Sequence, residues 1–196
     1  MIEVTEKIHR ILAPRLIALI GTTSPDGRKN IIPINNVTSV STNPCMILVA
    51  VYHPWITAEN LKTADGFTIS VPSKDQLELV WKLGQKYSGY DSGKDKIEEF
   101  KDHLDLDFSD YGPVLKDALG WIELKVVDLP KDVGGNHLMA IGQYSKAKIN
   151  PDYYTNEIRP TNNPKPIMQW EGNNFSEASN IFSIDYYQDP DSPKPA

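Results

Sequence analysis

The sequence predicts a mainly β domain: a closed antiparallel β-barrel of five to seven strands, with two or three helices inserted between them. Three observations lead there. Apolar runs of strand length, among them 15–23, 45–52 and 66–71, recur between clusters of Gly, Pro, Asn and Asp. A clear helical period takes over only from Ser73. The chain also carries 15 Pro against 12 Gly, and proline, which lacks a backbone donor, is confined to edges, first turns and loops. Those prolines argue against a helical bundle.

The elements follow in order. Residues 4–12 place Ile8, Ile11 and Leu12 at helical spacing, and Pro14 ends that turn. Arg15–Thr23 is a buried strand, stopped by the turn formers Pro25, Asp26 and Gly27. Asn30–Val40 is rich in β-branched residues but interrupted by Pro33, as in an irregular or edge strand. After the Asn43-Pro44 turn, Cys45–Tyr52 is the most apolar run and predicts a strand buried on both faces, with Cys45 as a small buried apolar residue. Pro54–Lys62 predicts a short helix with Thr57 as its cap. Gly66–Val71 is a strand closed by Pro72, and Ser73 caps an amphipathic helix ending at Gly84. A polar loop follows, then a short helix over Ile97–His103. Ala118–Asp128 and His137–Ile149 form an antiparallel hairpin, with a turn around Gly134 and Gly135. Strand-capable segments recur at 167–170 and 180–187. The expected domain spans 1–187, and the proline-rich 188–196 is a tail.

Charge and cysteine content remove several functions. With 20 Lys+Arg against 26 Asp+Glu the net charge is −6, and no basic stripe is present to neutralise nucleic-acid phosphates. The single Cys45 excludes an intrachain disulfide, and His9, His53, His103 and His137 are too scattered to form a metal site with it by spacing. No apolar stretch is long enough to span a membrane, so the expected location is cytoplasmic, without a nucleic-acid or membrane partner. The segment Gly89–Asp95 imitates a phosphate-binding loop but lacks the spacing and the final Ser or Thr. Serine-hydrolase, zinc-protease and dinucleotide-fold signatures are absent from the sequence.

What remains is polar residues at strand and helix ends: Asn30, Asn35, Asn36, Thr38, Ser39 and Ser41, then Thr57 and Asn60, then Lys86, Tyr87, Ser88, Lys94 and Lys96. Hydroxyls, amides and a lysine beside a helix start are what a phosphate monoester requires. Self-satisfied turns explain the same composition.

The order of the pieces is more specific. Pro14-Arg15, Asp26-Gly27, Asn30, Pro33, Val40-Ser41, Asn43-Pro44, Thr57 with Asn60, and Phe67 with Ser70-Val71-Pro72 come first. Tyr87-Ser88-Gly89, Asp95-Lys96, Gly135-Asn136-His137, Gly142, Pro166 to Gln169, Gly172 and Phe175 continue the series. Over roughly residues 10–176 this order resembles the flavin reductase-like family of FMN-binding split barrels, particularly its flavoredoxin-type branch. The resemblance implies a Greek-key split barrel, FMN as cofactor and a homodimer.

It also implies roles for residues. Asn35 would donate to phosphate or a flavin carbonyl, and backbone N–H groups around Asn36, Val37 and Thr38 would face the N5/O4 edge of the flavin. Ala50, Val51, Tyr52 and His53 would flank the ring and ribityl chain. Thr57, Ser88 and Lys96 would hold the phosphate. His137 would be the catalytic residue, where a hydride donor enters. Trp55, Tyr87 and Tyr90 serve packing, dimer contact or flavin stacking; His9 and His103 are surface residues.

Four positions depart from the family pattern: Asn35 for Ser, Cys45 for Pro, Asn136 for Asp and Gln169 for His. The implied activity is electron transfer from NAD(P)H through flavin N5 to a flavin, metal or protein acceptor. The alternative is an FMN-carrying electron-transfer protein without NAD(P)H oxidase activity, and a third reading is a barrel that has lost its flavin.

Overall fold

The computed structural model describes residues 3–85, 95–131, 133, 135–154 and 164–178. Its centre is a seven-stranded antiparallel sheet. Its strands are β2 (Ala18–Thr23), β3 (Lys29–Ile34), β4 (Val37–Thr42), β5 (Cys45–Tyr52), β6 (Gly66–Val71), β9 (Gly120–Asp128) and β10 (His137–Ile149). They lie in the order β3-β2-β6-β9-β10-β5-β4. A three-stranded sheet joins β1 (Arg15–Leu16) to β11 (Ile167–Glu171) and β12 (Asn174–Glu177), and β7 (Leu104–Asp105) pairs with β8 (Val114–Leu115). The helices are α1 (Ile56–Leu61), α2 (Leu77–Gly84) and α3 (Lys96–Phe100), with 3-10 turns at Ile8–Leu12, Lys74–Gln76 and Lys101–His103.

The first apolar run divides at Ile17. Its N–H donates to the Ile167 carbonyl at 3.0 Å, handing β1 to β11, while β2 pairs with β3 and β6. Side chains alternate along β2: Ala18 and Ile20 enter one core cluster, Ile17 and Leu19 the other. The first cluster also takes Ile34, Val49, Phe67, Leu124, Ala140 and, from α1, Ala58 and Leu61, with half-buried Val37 against it. Every strand of the large sheet therefore contributes to one interior, which requires strong curvature. The second cluster lies under α2 and α3, where Val80, Leu83 and Phe100 meet Ile31 and Leu115.

Three expectations change. The ladders leave β3 and β4 as edges, and no ladder joins them among the described residues, so the pairings show a curved open sheet rather than a closed barrel. Pro33 removes a donor from β3, and α3 lies along that strand. The strands buried on both faces are β2 and β6; β5 buries only Ile47, Val49 and Val51, because it neighbours an edge strand and its other face is half open. Cys45 is accordingly exposed. Thr57 does not cap α1: Trp55 occupies that position without a side-chain bond, and Thr57 lies inside the first turn.

Elsewhere the local signals hold. Ser73 forms a capping box with Gln76, whose Oε1 accepts from the Ser73 N–H at 3.1 Å. Asn30–Val40 becomes the two edge strands, and β9–β10 is the antiparallel pair. The turn at Ile8–Leu12 forms, but its apolar side chains are exposed. The β7–β8 pair and β12 add to the predicted elements. The segment 180–187 lies outside the described residues.

Candidate functional site

A cavity of about 410 Å³ opens where the β3–β4 turn, β5, α2 and β11 converge. Pro33, Ile34, Asn35 and Asn36 form one wall, and Ala50, Trp55 and His137 another. Val80, Trp81, Gly84 and Gln85 enter from α2 and its end, and Gln169 and Phe175 from the small sheet. The lining is largely apolar, and its polar groups are amides and one imidazole, the mixture that suits a planar heteroaromatic ring. Trp81 and Phe175 meet edge to face at 6.0 Å, and half-exposed Trp55 stands 5.9 Å from Tyr52. Gly84 is required here, since a Cβ would lie 2.8 Å from Pro33 Cγ.

The β3–β4 turn is held by amides. Asn35 Nδ2 donates to Gln169 Oε1 at 2.8 Å, and Gln169 Nε2 donates to the Gly172 carbonyl at 2.7 Å. Two of the four departures from the family pattern are therefore one hydrogen-bonded pair, tying β11 to the turn. Arg15 Nη1 donates to Asn36 Oδ1 at 2.7 Å, while buried Arg15 Nε has no partner among the described residues. The Asn36 carbonyl accepts from the Ala50 N–H at 2.9 Å, fixing the turn against β5.

His137 stands opposite, at the start of β10, in register with Tyr52. Its Nδ1 lies 2.6 Å from Asn136 Oδ1. An amide oxygen only accepts, so Nδ1 donates and Nε2 keeps its lone pair. Asn136 thus orients the ring without supplying negative charge. Burial, and then the nearby His53, hold the imidazole below its ordinary pKa. Replacing Asn136→Asp is expected to raise the His137 pKa above the wild-type value, because a carboxylate favours imidazolium. NMR titration of the ring checks this, and an unchanged midpoint contradicts the assigned contact.

The predicted phosphate residues lie farther along β3. Asn30 Nδ2 donates to Thr57 Oγ1 at 2.8 Å, and Asn60 Nδ2 to Thr22 Oγ1 at 3.0 Å, in a buried polar cluster. Thr57 is fully buried, and no described acceptor takes its hydroxyl proton. Lys96 Nζ donates to the Ile31 carbonyl at 2.7 Å, and no carboxylate pairs with it among the described residues. Burial pulls its pKa down to about 8. At about 3.3 Å per residue, Ile31 and Asn35 are separated by roughly 13 Å of strand.

The structure thus brings Asn35, Asn36, Ala50 and His137 together around the cavity and gathers Thr57 and Lys96 beside Asn30 and Ile31. Val37 packs against the core, Thr38 is exposed, Val51 is buried, and Tyr52 and His53 face outward. Ser88, Tyr87 and Tyr90 lie outside the described residues. The sequence did not single out Arg15, Trp81, Gly84 or Phe175 as lining the site or bracing it. The amphipathic period from Ser73 was the available signal for Trp81, whose face of the helix only the fold reveals.

A family model described as a flavin reductase like domain matches residues 10–170. The chain belongs to the flavin reductase-like family. An uncharacterized protein of Pyrococcus abyssi is 31% identical over 69% of this chain and 74% of its own length. Another, of Methanothermobacter thermautotrophicus, is 25% identical over 90% of this chain and 85% of its own. Among solved structures, this flavin reductase-like domain is similar to the flavoredoxin of Desulfovibrio vulgaris (Miyazaki F), at 19% identity and TM-score 0.76, covering 94% of this chain and 98% of that one. The flavoredoxin of Methanosarcina acetivorans gives 17% identity and TM-score 0.78, with 94% of both chains covered. An FMN-binding protein of Thermus thermophilus gives 20% and 0.77, covering 94% and 98%. At these identities the likeness establishes the fold: mainly β, of split-barrel type, with a few helices.

Proposed function

We propose that the protein is an FMN-binding oxidoreductase that takes reducing equivalents from NAD(P)H and passes them to a flavin, metal or protein acceptor. The observation carrying this reading is the cavity between the Asn35-Asn36 turn and His137, in a flavin reductase-like domain. The residues present fit FMN. Apolar walls suit the ring, and among the described residues buried Arg15 Nε has no partner beside the turn and the largely buried cation Lys96 has no carboxylate. Bound FMN would supply hydride acceptance at N5 and onward transfer of the electron pair.

The chain's own contributions follow from its geometry. N–H groups around Asn36, Val37 and Thr38 would stabilise charge accumulating at the N5/O4 edge. Asn35, locked by Gln169, holds that turn in place. Ala50, Val51, Tyr52 and His53 would flank the ring and ribityl chain. Thr57, Ser88 and Lys96 would receive the phosphate. His137 Nε2 presents an acceptor that can orient a carboxamide, and its lowered pKa keeps the ring neutral near pH 7. On this reading a second copy covers the exposed Trp55 and Trp81 at the cavity rim.

Purified protein is expected to be yellow, to release FMN rather than FAD on heating, and to bleach on anaerobic mixing with NADH or NADPH. Colourless protein that takes up no FMN refutes the reading. A second reading, an FMN carrier without NAD(P)H oxidation, is favoured by one observation: the amide of Asn136 stands where a carboxylate would charge His137. Bound FMN that neither nucleotide bleaches would select it.

A further inference from the structure

We infer that the groove between His53, Lys62 and Lys131 binds the phosphate groups of the pyridine-dinucleotide donor whose ring enters the first cavity past His137. This rests on the NAD(P)H reading above. The groove is a separate cavity of about 330 Å³ that shares only His137 with the first among their described lining residues. It is lined by His53, Lys62, Lys131 and His137 over an apolar floor that includes Leu129 and Met139. No carboxylate lines it among the described residues, and neither lysine is in an ion pair there. In a chain of net charge −6, a concavity with this sign attracts anions.

The first cavity makes the assignment more specific. Its described lining contains no Lys or Arg, so a nicotinamide seated there would have to leave its phosphates outside. His137 forms the shared wall: the Asn136 contact at 2.6 Å fixes its ring on one side, and the Asn136 carbonyl accepts from the His53 N–H at 3.0 Å. The two histidines are thus tied to one backbone segment at the junction between the cavities. With His137 kept neutral, the lysines carry the positive charge in the groove. Lys96, bonded to the Ile31 carbonyl of β3, does not line it.

The test is calorimetric titration of the FMN-loaded protein with NADP⁺, NAD⁺ and inorganic pyrophosphate, comparing wild type with Lys62→Ala/Lys131→Ala. The expected result is a tenfold or greater loss of dinucleotide and pyrophosphate affinity, with FMN affinity unchanged. A larger loss for NADP⁺ assigns the lysines to the 2′-phosphate; equal losses assign them to the diphosphate. Unaltered dinucleotide affinity in the variant overturns the inference while leaving the donor reading intact. FMN uptake without binding of either dinucleotide by wild type overturns both. Loss of FMN in place of dinucleotide overturns it by giving the groove to the cofactor's own phosphate. Unchanged nucleotide binding with impaired electron exchange with an acidic carrier protein overturns it in favour of a protein partner.

Discussion

Thr57→Ala combined with Lys96→Ala is expected to weaken FMN binding roughly a hundredfold or more, since each lost charge-assisted hydrogen bond costs about 1.5–3 kcal/mol. The reason lies in what surrounds these groups. Thr57 accepts from Asn30 and has its own proton to give, while Lys96 holds only the Ile31 carbonyl and lacks a countercharge among the described residues. A phosphate dianion supplies that countercharge. It also reverses the effect of burial, which has pulled Lys96 down to about 8.

The pH dependence has opposite signs with and without ligand. In the free protein, Lys96 releases its proton more readily than in the unfolded chain, so its burial penalty is full below about pH 8 and fades as pH rises towards 10.5. Free-protein stability therefore gains from this group over that window. Bound phosphate favours the ammonium and raises its pKa, so FMN binding takes up a proton above about pH 8 and affinity falls as pH increases. Fluorescence titration across that range gives the slope, which Lys96→Ala should abolish. Unchanged FMN affinity in the double variant means that the phosphate lies elsewhere. A fall in melting temperature without a change in affinity means that Lys96 only covers the β3 edge.

Much of this was legible from local chemistry. Proline and Asn at 33–36 marked an edge and a turn, and the turn became the cavity wall because Asn35 and Asn36 end one edge strand and lead into the other. Ser73 announced its helix, because a capping box needs only neighbours in sequence. The failures concern what lies across space. Cys45–Tyr52 has no polar alternation, yet the strand's position beside an edge leaves one face half open. Asn35 and Gln169 looked like two unrelated departures; 134 residues apart, they are a single contact. The groove at Lys62 and Lys131 carried no motif at all, since it joins the end of α1 to the β9–β10 connection.

Gly21→Ala is expected to destabilise the protein by about 3 kcal/mol, lowering the melting temperature by roughly 6–12 °C. Read along the chain, Gly21 is one more small residue in an apolar strand. In the fold, a Cβ there would lie 2.0 Å from the Pro113 carbonyl oxygen and 2.3 Å from Thr68 Oγ1. Gly112 faces it reciprocally, its own Cβ falling 2.3 Å from the Gly21 carbonyl carbon. Neither neighbour can yield cheaply. Thr68 Oγ1 donates to the Pro113 carbonyl at 2.8 Å, and the Leu115 N–H donates to Ser70 Oγ at 3.0 Å, so the 112–115 segment is bonded to the buried face of β6. Opening the gap breaks buried hydrogen bonds; keeping it closed forces backbone against Cβ. The opposing term, about 0.4–1 kcal/mol from the smaller unfolded-state entropy of alanine, is too small to compensate. Gly120→Ala is the control: its Cβ would meet the Lys148 carbonyl at 3.2 Å, a contact that a few tenths of an ångström relieve. Thermal melts of both variants decide the matter, and a Gly21→Ala melt within a degree or two of wild type would show that the 112–115 segment does not press on β2 as described.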